Sequence, residues 1–128
     1  MKKCLLAAGL MLMSATVSAQ TSIVPGSQQK IAWDQAAPDL ATAQGYSYTV
    51  SDSGVALAVE SPVCTNSPTA GVFICKTPVP ALTPGAHSLV VKTSTMIDGT
   101  LIESPPSVPL AVVMVAVPAT PQNLRLER

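Results

Sequence analysis

Side chains able to do acid–base or nucleophilic chemistry are few in this chain of 128 residues. A Ser-His-Asp arrangement would have to use the single histidine, His87, with Asp34 or Asp98 as the orienting carboxylate. No serine lies in a recognisable nucleophile turn, and no glycine-rich phosphate loop, HExxH or EF-hand pattern is present. We therefore expect a protein that is not an enzyme and that has no cofactor.

Two pairs of residues have the types that metal sites use. Asp34 and Asp39 flank the segment QAAP and could offer oxygens to calcium, which takes about six to eight ligands. A solvated loop pair that forms Asx turns is the favoured interpretation. Cys64 and Cys75 could bind zinc, but with only the distant His87 they do not complete a tetrahedral site. We expect no metal.

Cys64 and Cys75 are the two cysteines that remain once the export signal described next is removed. In a chain that leaves the reducing cytoplasm, a disulfide is the simplest interpretation. It would close a loop of about a dozen residues and stabilise the fold by about 3 kcal/mol in the chain-entropy model.

Residues 1–19 have the pattern of a secretory signal peptide of bacterial type. Lys2 and Lys3 precede an apolar run at residues 5–13, and Val17-Ser18-Ala19 forms a small-residue cleavage site. The apolar run is shorter than the roughly 20 residues that span a bilayer. We expect an exported protein, located in the periplasm, on the cell surface or outside the cell, whose mature chain is not stably inserted in a membrane.

The charge of the mature chain argues against nucleic acid as a partner. Removing Lys2 and Lys3 leaves five basic residues against seven acidic ones, a net charge of −2. Binding to phosphates depends on clustered positive charge, which this chain lacks. The mature length suits one domain with one core.

Short runs of β-forming residues, separated by prolines and glycines, predict strands rather than long helices. Two turns are expected, from SDSG at residues 51–54 and from Asp98-Gly99, a favoured pair for a tight hairpin. The predicted strands are residues 30–33, 46–50, 55–60, 73–76, 87–93, 100–103 and 110–117. This pattern predicts an all-β fold, an antiparallel β-sandwich of about seven strands. A β-barrel is the rival, but no internal repeat suggests it.

The order of several motifs resembles a fibronectin type III domain, an immunoglobulin-like sandwich. The motifs are Ile31 with Trp33 in the second strand, GYSYTV at 45–50, ALTPGAHSLVVKTST at 81–95 with Leu82, Pro84, Gly85, Leu89 and Val91, and Ser104 with Ser107 in the final hairpin. The resemblance covers about residues 30–116, and the domain is placed at residues 20–116.

The resemblance implies roles for four residues of the core and of one corner: Trp33, Tyr46, Leu82 and His87. His87 stands where the family usually has a tyrosine whose hydroxyl ties the corner to upstream backbone, and an imidazole nitrogen could make the equivalent bond. TSIVPGSQQ at the amino end departs from the family pattern, so we expect a short or poorly formed first strand.

Residues 117–128, VPATPQNLRLER, resemble the opening of another such module rather than an ending. They are expected to be a disordered tail, a linker, or a strand that fills a neighbour's sheet edge. In the last case the candidate strand donor is Asn123, Leu124 and Leu126.

Two functions follow from these features. The first is a non-catalytic exported module for binding or adhesion, which contacts a protein or a glycan through the loops at residues 34–45 and 95–100. The sequence Arg-Gly-Asp is absent, so integrin-type adhesion gains no support. The alternative is a structural subunit that assembles with copies of itself by strand exchange through residues 117–128, giving an oligomer or a filament.

Overall fold

The computed structural model describes residues 20–128, and the predicted signal peptide lies outside these residues. The described residues form nine strands and one short helix. The strands are β1 (Thr21–Ile23), β2 (Lys30–Ala36), β3 (Ser47–Asp52), β4 (Val55–Leu57), β5 (Val63–Asn66), β6 (Val72–Pro78), β7 (Gly85–Ile97), β8 (Thr100–Glu103) and β9 (Leu110–Met114). The helix, α1 (Leu40–Gly45), lies between β2 and β3.

The strands form two sheets, one of six strands and one of three. In the larger sheet β1, β9, β7, β3 and β4 lie side by side in that order, and β8 also pairs with β7. In the smaller sheet the order is β2, β6, β5. The prediction of a mostly β, two-sheet, sandwich-like protein is confirmed.

The larger sheet is mixed, which corrects the prediction of a purely antiparallel fold. β1 pairs with β9 in parallel, and Ile23 lies opposite Met114. Pro25 and Gly26, whose φ is +77°, follow β1 in a turn closed by a bond from the Ser27 N–H to the Val24 carbonyl. This turn ends β1 after three residues and leads the chain to β2 in the smaller sheet, and β1 lies beside β9 in the larger one. The predicted shortness of the first strand is confirmed.

Both predicted turns are present. Ser53 and Gly54 join β3 to β4, and Asp98 and Gly99 join β7 to β8. All four residues have positive φ, as a type I′ turn requires at its two central positions. Type I′ turns match the right-handed twist of paired strands, and few residue pairs accept positive φ at both central positions. The local sequence was therefore enough to predict these turns.

Two elements, α1 and β5, were not expected. Residues 34–45 contain α1, whose N-cap Asp39 accepts a hydrogen bond from the Thr42 N–H at 2.7 Å. This Asx interaction satisfies a free donor of the first turn, and it holds the pKa of Asp39 below its ordinary value. β5 is only four residues long and lies between Pro62 and Pro68, too short for a clear alternation pattern.

The core consists of two clusters of buried side chains. One is Ile23, Ile31, Val50, Leu89, Val91, Val112 and Met114, and the other is Ala43, Cys64, Phe73 and Cys75. Trp33 and Tyr48 pack against both clusters, with their ring centroids 5.2 Å apart. Leu82 packs against the first cluster. Tyr46 differs from its expected core role, because α1 extends to Gly45 and leaves Tyr46 at the helix C-cap, half-buried.

Two serines maintain the pairing of β7 where prolines interrupt its neighbour. Pro105 and Pro106 have no N–H group and separate β8 from β9. On either side, the Ser104 N–H donates to the Thr93 carbonyl at 2.8 Å, and the Ser104 hydroxyl accepts from the Thr93 N–H at 3.0 Å. Ser107 makes the same two bonds with Val91, both at 2.9 Å. The hydroxyls thus satisfy donors of β7 that would otherwise lack a ladder partner.

We predict that Ser107→Ala lowers the free energy of unfolding by about 1–3 kcal/mol, because the Val91 N–H of the central strand loses its acceptor. Denaturant unfolding would measure the change. Ser61→Ala, at an exposed serine, is the matched control and should change stability by about 0.5 kcal/mol or less. An equal effect of the two substitutions would contradict this account.

Candidate functional site

His87, at the start of β7, lies between two hydrogen-bond acceptors. Its Nε2 is 2.6 Å from the Thr83 carbonyl oxygen, and its Nδ1 is 2.6 Å from Oδ2 of Asp52. The other carboxylate oxygen of Asp52 accepts from the Ser88 N–H at 3.2 Å. A neutral imidazole has one N–H, so both bonds to His87 are made only by the protonated ring.

The electrostatics of this pair agree with a protonated ring. The pKa of His87 is raised above 6.5, first by the bond to the Thr83 carbonyl and then by the bond to Asp52 and its charge. The pKa of Asp52 is lowered from 3.8, mainly by the bond from His87 and also by the Ser88 N–H. The side chains are only 10% and 20% exposed, so water competes little for the pair.

This arrangement is that of a structural corner. The Nε2 atom bonds to the backbone carbonyl of Thr83, four residues upstream. The carboxylate is Asp52, and neither Asp34 nor Asp98 contacts the ring. A general base needs a free nitrogen facing its substrate, but both ring nitrogens of His87 are bonded within the fold. Sequence reasoning missed Asp52, which is 35 residues away from His87.

The predicted disulfide between Cys64 and Cys75 is present, which removes both sulfurs as zinc ligands. It joins residues that lie directly opposite each other in β5 and β6, with Cα atoms 3.9 Å apart. Since such bonds persist in oxidising surroundings, the disulfide indicates that the chain matures in an oxidising compartment.

The disulfide also anchors α1. The Cys64 N–H donates to Oε1 of Gln44 at 2.7 Å, and Nε2 of Gln44 donates to the Pro62 carbonyl at 2.8 Å. The Tyr48 hydroxyl donates to the Ala43 carbonyl at 2.6 Å and lies 3.5 Å from Sγ of Cys75. Burial, with a smaller contribution from Tyr46, raises the pKa of Tyr48 to about 12, so the hydroxyl remains a donor.

The β7–β8 hairpin carries large apolar side chains at its free end. Met96 and Leu101 are cross-strand partners and are 62% and 55% exposed. Ile97 and Ile102 are 55% and 47% exposed. The last residue of β7 that pairs with β3 is Ser94, so the hairpin extends three residues, roughly 10 Å, beyond that neighbour.

Gln35, within the expected contact segment 34–45, lies beside this hairpin, whose tip contains the other expected segment, residues 95–100. The Thr93 hydroxyl donates to Oε1 of Gln35 at 2.7 Å, which ties β7 to the end of β2. A cleft of about 230 Å³ lies between the hairpin and the residues around α1, and its lining includes Gln35, Tyr46, Thr95 and Ile102. We call the apolar hairpin and this cleft together the hairpin end.

The candidate strand donor lies outside every helix and strand. Leu124 and Leu126 are fully exposed. Asn123 has a φ of +53°, and Arg125 pairs with Glu127 two residues along the chain. The described residues therefore show this segment without a contact to the sandwich core.

Comparison of the chain with protein-family models, curated proteins and solved structures finds no match. Within residues 20–128, no group of three or more His, Cys, Asp or Glu side chains is placed to hold a metal ion. No helix in the described part of the chain has both the length and the apolar character needed to cross a membrane.

We predict a stability maximum between pH 3.8 and pH 6.5, the ordinary pKa values of aspartate and histidine. The raised pKa of His87 gives a contribution that is full below pH 6.5 and is lost as the pH rises through the raised value. The lowered pKa of Asp52 gives a contribution that is present above pH 3.8 and is lost as the pH falls through the lowered value.

Denaturant unfolding across the pH range would measure this dependence in the wild type and in His87→Gln. The substitution removes the only histidine, so the fall in stability above pH 6.5 should disappear. A variant that keeps the wild-type slope above pH 6.5 would show that another group causes it.

We also predict that reduction of the disulfide lowers the free energy of unfolding by about 3 kcal/mol, because the reduced chain regains loop entropy when unfolded. Cys64→Ala with Cys75→Ala should show a loss of similar size and no further response to reductant. A reduced protein as stable as the oxidised one would refute the assigned role of the bridge.

Proposed function

We propose that this chain is a non-catalytic exported binding module that contacts a protein partner through its hairpin end. The observation that carries the proposal is the projecting β7–β8 hairpin with four large apolar side chains, each 47–62% exposed. Apolar side chains gathered on a soluble domain mark sites of protein contact. Methionine is also enriched in such interfaces.

The proposed fold type is an immunoglobulin-like sandwich of the fibronectin type III kind. The smaller sheet, β2-β6-β5, and the central run β9-β7-β3 of the larger sheet have the strand order of immunoglobulin sandwiches. The corner at His87 and the paired bonds of Ser104 and Ser107 support the finer assignment. The parallel pairing of β1 with β9 is a departure from an all-antiparallel sandwich.

A protein suits the hairpin end better than a glycan does. The exposed side chains are aliphatic, and burying them releases water in proportion to their apolar area. The hydroxyl-rich surface of a glycan would leave that area poorly covered. Charge is sparse beside the turn, where Asp98 and Glu103 are the exposed acidic residues.

The proposal that the module is not an enzyme is supported by His87, whose two ring nitrogens are both bonded within the fold. Export is supported by the signal-like residues 1–19 and by the disulfide.

A photocrosslinking experiment in the cells that export the protein would test the contact. A benzophenone amino acid replaces Leu101 at the hairpin end, which is 55% exposed, or Val63 on β5, a control that is 63% exposed. We expect crosslinks to a protein other than a second copy from the first position and not from the second. Met96→Ser with Ile97→Ser should weaken binding of the captured protein about tenfold, equivalent to about 1.4 kcal/mol.

Equal crosslinking from both positions would contradict the assigned surface. Hydrolysis of an ester, peptide or glycoside substrate that disappears in a folded His87→Ala variant would contradict the non-catalytic assignment.

A further inference from the structure

β2 is an open sheet edge of unusual length for this molecule. Within the described residues it pairs with β6 on one side, and no strand lies on its other side. It has seven residues and no proline. The other edge strands, β1, β4, β5 and β8, have three or four residues. Edge strands are usually short or blocked by proline, and an open edge is a template for an added strand.

The side chains of β2 define what an added strand would meet. Ile31, Trp33 and Gln35 face the other sheet, and Ile31 is buried while Trp33 is partly buried. The outer face has four exposed residues, Lys30, Ala32, Asp34 and Ala36. A matching strand therefore needs apolar residues at every second position and charges between them that complement Lys30 and Asp34.

Within residues 122–128, QNLRLER, the central residues 123–127 have that pattern. Leu124 and Leu126 are two apart and fully exposed, so they would share one face of a strand. Arg125 and Glu127 would lie on the opposite face. Pro118 and Pro121, which precede the segment, favour extended backbone.

We propose that residues 122–128 of one copy add antiparallel to β2 of a second copy. In the register that places Arg125 opposite Asp34, Leu126 lies opposite Trp33, and Glu127 is diagonal to Lys30. The leucines then extend the apolar face of β2, Arg125 and Glu127 each lie near an opposite charge, and Arg128 lies opposite Ile31 at the end of the donor strand. Asn123 moves from positive φ to extended backbone as the strand forms.

Each copy in this arrangement offers one donor and one acceptor, at different places on its surface. Such a head-to-tail contact continues from copy to copy and yields a chain of subunits unless its rotation closes a ring. The inference goes beyond the hairpin-end partner proposed above, because the partner here is the same polypeptide.

Cysteine crosslinking would test the register directly. Asp34→Cys protein is mixed with Arg125→Cys protein, both with the native disulfide intact, and oxidised mildly. We expect a disulfide-linked dimer from this mixture and none when Ala119→Cys replaces Arg125→Cys. Sedimentation velocity of the unmodified residues 20–128 should show mass that rises with concentration.

Substitutions in the exposed segment test the strand without endangering the fold. Leu126→Pro should abolish association, whereas Val117→Pro, at an exposed position outside the segment, should leave it unchanged. Asp34→Arg and Arg125→Asp should each weaken association about two- to fivefold, and the two together should restore it. Lys92→Glu, at an exposed residue of β7, is the charge control.

Three results would overturn the proposal. They are a monomeric mass at every concentration, association that survives Leu126→Pro, and an Asp34→Cys/Arg125→Cys double variant that closes a bridge within one monomer. Met96→Ser with Ile97→Ser should not alter self-association. The proposed contact of the hairpin end and the proposed strand addition to β2 can therefore be refuted separately.

Discussion

The contact of Trp33 with Tyr48 is the interaction on which the rest of the sandwich depends. Trp33 belongs to β2 in the smaller sheet and Tyr48 to β3 in the larger one, and both rings touch both core clusters. Nε1 of Trp33 is buried and has no hydrogen-bond partner among the described residues. An unpaired donor costs about 1–3 kcal/mol, so the apolar packing of this indole must exceed that cost. The Tyr48 hydroxyl also bonds to the Ala43 carbonyl and lies near the disulfide, and these contacts hold α1 against β5.

Polar side chains elsewhere complete backbone pairing that the sequence would otherwise leave unfinished. Ser104 and Ser107 accept from β7 on either side of two prolines, and Asp52 accepts from the Ser88 N–H. The side-chain oxygen of Gln44 likewise accepts from the Cys64 N–H of β5. Buried backbone donors need acceptors wherever a ladder is interrupted. The side chains of these serine, aspartate and glutamine residues therefore complete the hydrogen bonding of the sheets.

The sequence predicted the features whose causes are local. Asp98-Gly99 and Ser53-Gly54 need positive φ at two adjacent positions, and few residue pairs supply it. The short length of β1 was predictable for a similar local reason, because Pro25 follows closely after its end. The choice of β9 over β2 as the neighbour of β1 depends on how two sheets pack, and no short pattern contains that information. The bond between Asp52 and His87 is equally non-local. The N-cap of α1 is different, because an aspartate directly before a run that contains alanines is a local signal for the start of a helix.

The parallel pairing of β1 with β9 has a mechanical consequence. Because the two strands run the same way, the start of β1 and the end of β9 lie at opposite ends of the pair. Tension applied between these two points would shear the β1–β9 bonds together, whereas an antiparallel pair pulled from adjacent ends would unzip one bond at a time. The bond from the Val115 N–H to the Ile23 carbonyl lies within this loaded junction. A covalent loop between Cys64 and Cys75 would further limit how far the chain extends once the junction yields.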